Sequence, residues 1–137
     1  MLEINEGEES VLETIIEIIE THPEFVHYKM QYNPTLSFPG LQVCIKERKV
    51  LKNVKEVYLT FKEFEILRLL TKNPGLTFSK EQIYDIVWNE PYSGDYNIVM
   101  THIHHIREKI EDDLAHPVYI QTVWGVGYKF NDKLIER

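Results

Sequence analysis

The 137-residue sequence has one cysteine, Cys44, so it forms no intramolecular disulfide and no multi-thiolate metal centre, which fits a reducing compartment. Cys44 stands at an apolar strand position and is expected to be a small core residue. Long hydrophobic runs are also missing. The most apolar stretches are cut by charges, as in Val11-Leu12-Glu13-Thr14-Ile15-Ile16-Glu17, which excludes a membrane span and a secretory leader and leaves a cytoplasmic protein as the expectation. There is no glycine-rich phosphate loop, no nucleophile elbow and no Cys/His or paired-carboxylate pattern beyond ordinary helix surfaces, so neither an enzyme nor a cofactor is expected. Positive charge is scarce: 15 lysines and arginines face 22 aspartates and glutamates, for a net charge of −7. That balance counts against nonspecific affinity for nucleic acid, which phosphate neutralisation drives, but it leaves room for a local basic face.

The deficit is confined to one end. Residues 1–40 hold eight glutamates, at positions 3, 6, 8, 9, 13, 17, 20 and 24, against Lys29 alone, and so carry the whole net charge, while the remainder is balanced. Within this acidic head, Val11, Leu12, Ile15, Ile16, Ile18 and Ile19 recur at helical spacing from Ser10 to about Thr21, with Pro23 just beyond. They predict an amphipathic helix whose apolar face must be covered, either by the rest of the chain or by a second copy. Residues 24–40, with Pro34, Pro39 and Gly40, read as an irregular connector containing a short strand near Phe25 to Tyr28, and the domain boundary is placed there.

Three β-prone runs follow, Leu41 to Ile45, Lys49 to Leu51 and Glu56 to Leu59, spaced as an antiparallel meander. Thr60 and Glu63 form a Thr-x-x-Glu capping pattern ahead of Phe64, Leu67, Leu69 and Leu70, and Asn73-Pro74-Gly75 stops that helix. Ser79 and Gln82 open a second helix, which buries Ile83, Ile86 and Val87 and runs to Trp88, itself expected in the core. A third, from about Tyr96 to Glu111, aligns Val99, Ile103, Ile106 and Ile110 on one face and Asn97, Thr101, His104, His105 and Glu108 on the other. Tyr119 to Val123 and Tyr128 to Phe130 are strands joined by Trp124-Gly125-Val126-Gly127. Sheet, three helices, hairpin is the order of an α+β winged helix-turn-helix, in which the third helix can enter a major groove and the hairpin lies on the neighbouring backbone or minor groove.

Linked motifs now become recognisable: Leu59-Thr60-Phe61-Lys62-Glu63-Phe64-Glu65-Ile66-Leu67, Phe78-Ser79-Lys80-Glu81-Gln82-Ile83, Val99 through Lys109, and Tyr119 through Phe130. Over about residues 40–131 the chain resembles the C-terminal effector domain of OmpR/PhoB-type response regulators. The resemblance implies a recognition helix between residues 95 and 111, a wing, and a loop of Asn89, Glu90, Pro91, Tyr92, Ser93 and Gly94 that faces RNA polymerase. Recognition helices of the family commonly read His-Ile-Arg-Arg-Leu-Arg, whereas this chain reads His102-Ile103-His104-His105-Ile106-Arg107. Asn97 and Trp124 likewise stand where arginines are frequent. The family's phosphoacceptor receiver needs over a hundred residues, more than the forty here, so the expectation is an effector domain without one, divided as 1–39 head and connector, 40–132 winged helix and 133–137 tail.

The expected function is that of a bacterial transcriptional regulator binding double-stranded DNA through Asn97, Thr101, His104, His105, Arg107, Lys109, Trp124 and Lys129. Arg107 and Lys109 are the cations left to meet phosphates; Lys62 and Lys80 gain the same reading only from their place in the fold. The competing class is a winged-helix protein-interaction module that has shed base contacts. The acidic helix then supplies a homodimer contact, or folds over the recognition surface as a nucleic-acid mimic. His102 and His105 share spacing suitable for a metal, but no cysteine or carboxylate pair completes a tetrahedral set, and His102 is expected half-buried against the sheet.

Overall fold

The structure is a computed structural model that describes residues 35–90 and 95–134. The predicted helix at 10–21 and strand near Phe25 to Tyr28 lie outside the described residues. The chain divides between Pro34 and Thr35 rather than at residue 40. The difference comes from strand β1, Thr35–Phe38, which pairs antiparallel with β2, Leu41–Cys44, across a tight turn at Pro39-Gly40. Gly40 has φ +77°, so the glycine marks a hairpin turn and not a linker.

Strands β3, Lys49–Lys52, and β4, Lys55–Val57, complete a sheet of order β1-β2-β3-β4. Its inward face carries Phe38, Leu41, Val43 and Val50. Strand alternation puts Cys44 on the other face with Gln42, both partly exposed, which corrects the expectation of a core cysteine.

Helix α1 spans Phe61–Thr71 and α2 spans Lys80–Trp88, and both open with the capping boxes read from the sequence. The Thr60 and Ser79 hydroxyls accept from the amides of Glu63 and Gln82, whose side chains accept from the cap amides in return. Phe64, Ile66, Leu67 and Leu70 of α1 and Ile83 and Tyr84 of α2 enter the core. Ile86 was expected there too, yet it is 53% exposed, because Ile83 and Val87 already occupy the inward side of a short helix. Trp88 is half-buried at the edge of the core, stacked on Tyr84. Helix α3, Asn97–Ile110, lies against both, and β5, Ile120–Val123, pairs with β6, Gly127–Phe130, as the C-terminal hairpin.

Candidate nucleic-acid interface

The core stripe of α3, Val99, Ile103, Ile106 and Ile110, is 0–1% exposed, and this anchorage turns Asn97, Thr101, His104, His105 and Glu108 to solvent. The N-cap residue, Tyr96, contributes no side-chain cap. Asp95 replaces it, its carboxylate accepting from the Asn97 amide at 2.9 Å, where a negative charge also complements the helix dipole. The Thr101 hydroxyl donates to the Asn97 carbonyl at 3.2 Å, and His104 Nε2 lies 3.5 Å from a Glu108 carboxylate oxygen. His102 is half-buried as expected, but against a helix and not the sheet: its ring meets Trp88 of α2 edge-on at 5.2 Å, and Nδ1 is 2.7 Å from the Ile98 carbonyl.

The two cations of α3 do not stand on that outward face. Arg107 lies on the flank beside the hairpin, half-buried, where its guanidinium donates twice to the Ile120 carbonyl, at 3.0 and 3.3 Å, and once to the Thr122 hydroxyl at 2.8 Å. It also sits 5.6 Å from the Tyr128 ring centroid. Burial pushes the Arg107 pKa down from its ordinary value, against the opposing pull of the Tyr128 and Glu111 charges, and burial pushes the Tyr128 hydroxyl up. Lys109 lies on the opposite flank and donates to Glu63 Oε1 of α1 at 2.7 Å. Arg107 thus spends its planar five-donor fork largely on the hairpin, while Lys109 stays exposed with its flexible ammonium on the buried Glu63 carboxylate.

Sequence reasoning missed the acceptors. Glu63 is 3% exposed; beyond its cap role it holds Lys109, and Nδ1 of His105 is 3.7 Å from its second oxygen. Its burial favours a raised pKa, but the Lys109 hydrogen bond, the Thr60 amide and the charges of Lys109 and His105 outweigh it and hold the carboxyl below its usual range. Glu111, just past α3, is buried and accepts from the amides of Val118, Tyr119 and Ile120 at 2.6–3.1 Å. The sequence signals were a Glu in a capping box and another at a helix end, both ordinary features of a solvated surface.

The hairpin, whose strands Arg107 joins to this helix, ends in a tip with Trp124 89% and Val126 57% exposed. At its base Gly127 is pressed against the chain ahead of α2: a Cβ there would lie 2.0 Å from the Phe78 carbonyl oxygen. Phe78 and Tyr128 exchange both backbone hydrogen bonds, at 2.8 and 2.9 Å. Lys129 is partly buried on β6, and Lys62 donates to the Val87 carbonyl at the end of α2. Of the 89–94 loop, Asn89 ends α2 with φ 53° and Glu90 accepts from the Tyr84 hydroxyl at 3.0 Å; Pro91, Tyr92, Ser93 and Gly94 lie outside the described residues. The structure thus brings Asn97, Thr101, His104, His105 and Glu108 together on one face and exposes Trp124 at the hairpin tip, while it holds Arg107 against the hairpin and leaves Lys109 exposed on the flank, paired with Glu63.

A helix held on its apolar stripe and flanked by a hairpin stitched to the preceding turn is the arrangement of a winged helix-turn-helix domain. Residues 54–130 match the family described as "Transcriptional regulatory protein, C terminal", and the chain belongs to that family. It is 45% identical over 100 residues to the uncharacterized transcriptional regulatory protein YcbL of Bacillus subtilis (strain 168), covering 73% of this chain and 44% of that one. To the regulatory protein VanR of Enterococcus faecium it is 37% identical over 112 residues, 81% of this chain and 48% of that one. The chain spans about half the length of the curated relatives it matches. Among solved structures, the response regulator DrrB of Thermotoga maritima, an OmpR/PhoB homologue, superposes with a TM-score of 0.68 at 30% identity, over 87% of this chain and 61% of that one. The RstA DNA-binding domain of Klebsiella pneumoniae, solved in complex with the RstA box, gives 0.65 at 27% identity, over 71% and 96%.

Proposed function

We propose that the chain is a sequence-specific double-stranded-DNA-binding transcriptional regulator and not an enzyme, with α3 in the major groove and the 124–128 wing on the adjacent backbone or minor groove. The observation that carries this reading is the exposed polar face of α3 on a helix tied by Arg107 to a wing whose tip residue Trp124 is 89% exposed. An indole held in water at a hairpin tip is suited to a sugar or base surface. That the related RstA DNA-binding domain was solved in complex with the RstA box supports DNA as the ligand. The 89–94 loop as a contact for RNA polymerase, the 10–21 segment as a homodimer contact and a cytoplasmic location belong to the same proposal. Among the described residues no helix is long and apolar enough to cross a membrane.

The second reading, a protein-interaction module, draws on the engagement of both cations of α3, Arg107 by the hairpin and Lys109 by Glu63. Duplex binding measured by fluorescence anisotropy from low to physiological salt separates the two. DNA binding predicts an affinity that falls linearly on a log-log plot against salt and that Trp124→Ala weakens. Absence of duplex binding at low salt overturns the DNA-binding reading.

A further inference from the structure

Building on the DNA-binding reading, we propose that the target half-site is read as A·T and not G·C pairs, through Asn97, Met100, Thr101 and His104. Guanine is most often recognised by an arginine or lysine reaching its O6 and N7 acceptors. Helix α3 carries only two such residues, Arg107 and Lys109, and both are engaged on its flanks, with Ile120 and Thr122 on one side and Glu63 on the other.

The recognition helix of a helix-turn-helix brings its N-terminal residues to the base edges. Here those residues offer few donors for guanine. The Asn97 amide has no side-chain partner among the described residues, and its carbonyl and NH2 match adenine N6 and N7. Met100 is 45% exposed, and the Thr101 hydroxyl is occupied by the Asn97 carbonyl, so both present methyl groups suited to the thymine C5-methyl. The Glu108 carboxylate, 3.5 Å from Nε2 of His104, favours the tautomer with the proton there and leaves Nδ1 an acceptor, which excludes guanine and meets an amino group, adenine N6 or cytosine N4, so that Asn97 and the two methyl groups carry the choice of A·T.

Selection of the full chain on a random duplex library at low salt, followed by sequencing, tests this. The expected half-site has A·T pairs at its contacted core positions. Asn97→Ala then loses about tenfold discrimination at a single A·T pair, and His104→Arg moves one position to guanine. Half-sites centred on G·C pairs, or an Asn97→Ala protein with an unchanged preference, overturn the base assignment and leave the DNA-binding reading intact. Salt-sensitive binding with no enriched sequence overturns it too, showing that α3 reads no bases. Failure to bind any duplex overturns both.

Discussion

The two halves of α3 are held in opposite ways. From Arg107 onward the helix is fastened on both sides: Arg107 to β5, Lys109 to α1, and Glu111 to the chain that leads into β5. Before His104 its outward residues bond only within their own segment, Asp95 to Asn97 and Thr101 to Asn97. The difference separates two tasks that a family arginine pattern blurs. The C-terminal half is joined to the hairpin and to α1, and the N-terminal half keeps its outward side chains exposed. A cation near the end of a recognition helix need not be a DNA contact when a carbonyl and a hydroxyl of the wing lie within its reach.

The contrast is best broken at Glu111. Glu111→Ala leaves the buried amides of Tyr119 and Ile120 without their acceptor, each costing about 1–3 kcal/mol, so a loss of about 3 kcal/mol is expected in urea unfolding. A loss below about 1 kcal/mol would mean that α3 and the hairpin are joined mainly elsewhere. Arg107→Ala comes next, at about 1–2 kcal/mol of stability, and it sharpens the division of labour. A positioning residue costs sequence-specific affinity while the salt slope of nonspecific binding stays unchanged. A phosphate contact would flatten that slope by about one unit.

The smallest effect concerns the α1 flank. The Glu63 carboxyl titrates below its ordinary range in the folded protein, so the stability it contributes is fully present above about pH 4.3 and is lost as pH falls through the lower folded value. Thermal unfolding between pH 6 and pH 3 should therefore show a component of acid destabilisation that Glu63→Gln removes. An identical pH profile in the two proteins would place the acid sensitivity in other carboxylates.

Much of this organisation was legible in the chain. Capping patterns at Thr60 and Ser79 and the Val99, Ile103, Ile106, Ile110 spacing are local, so they located three helices and the outward face of the third. Strand β1 was not legible, because Pro39-Gly40 has the composition of a linker and only its pairing with β2 reveals a turn. The attachments of Arg107 and Lys109 were hidden for a related reason. They join residues 13 and 46 positions apart, and no periodicity in the sequence announces which acceptor a long cationic side chain will meet.

The bridge between Phe78 and Tyr128 also bears on how the domain is made. The segment that leads into α2 meets its hydrogen-bond partner only when the last strand has been synthesised, and the Tyr119 hydroxyl reaches back 80 positions to the Pro39 carbonyl. On the ribosome, α1 and α2, too short to be stable helices alone, emerge with this seam open. The order of translation therefore delays completion of the helix-turn-helix until the C-terminal hairpin clears the exit tunnel, so a nascent chain lacking that hairpin cannot assemble the finished surface.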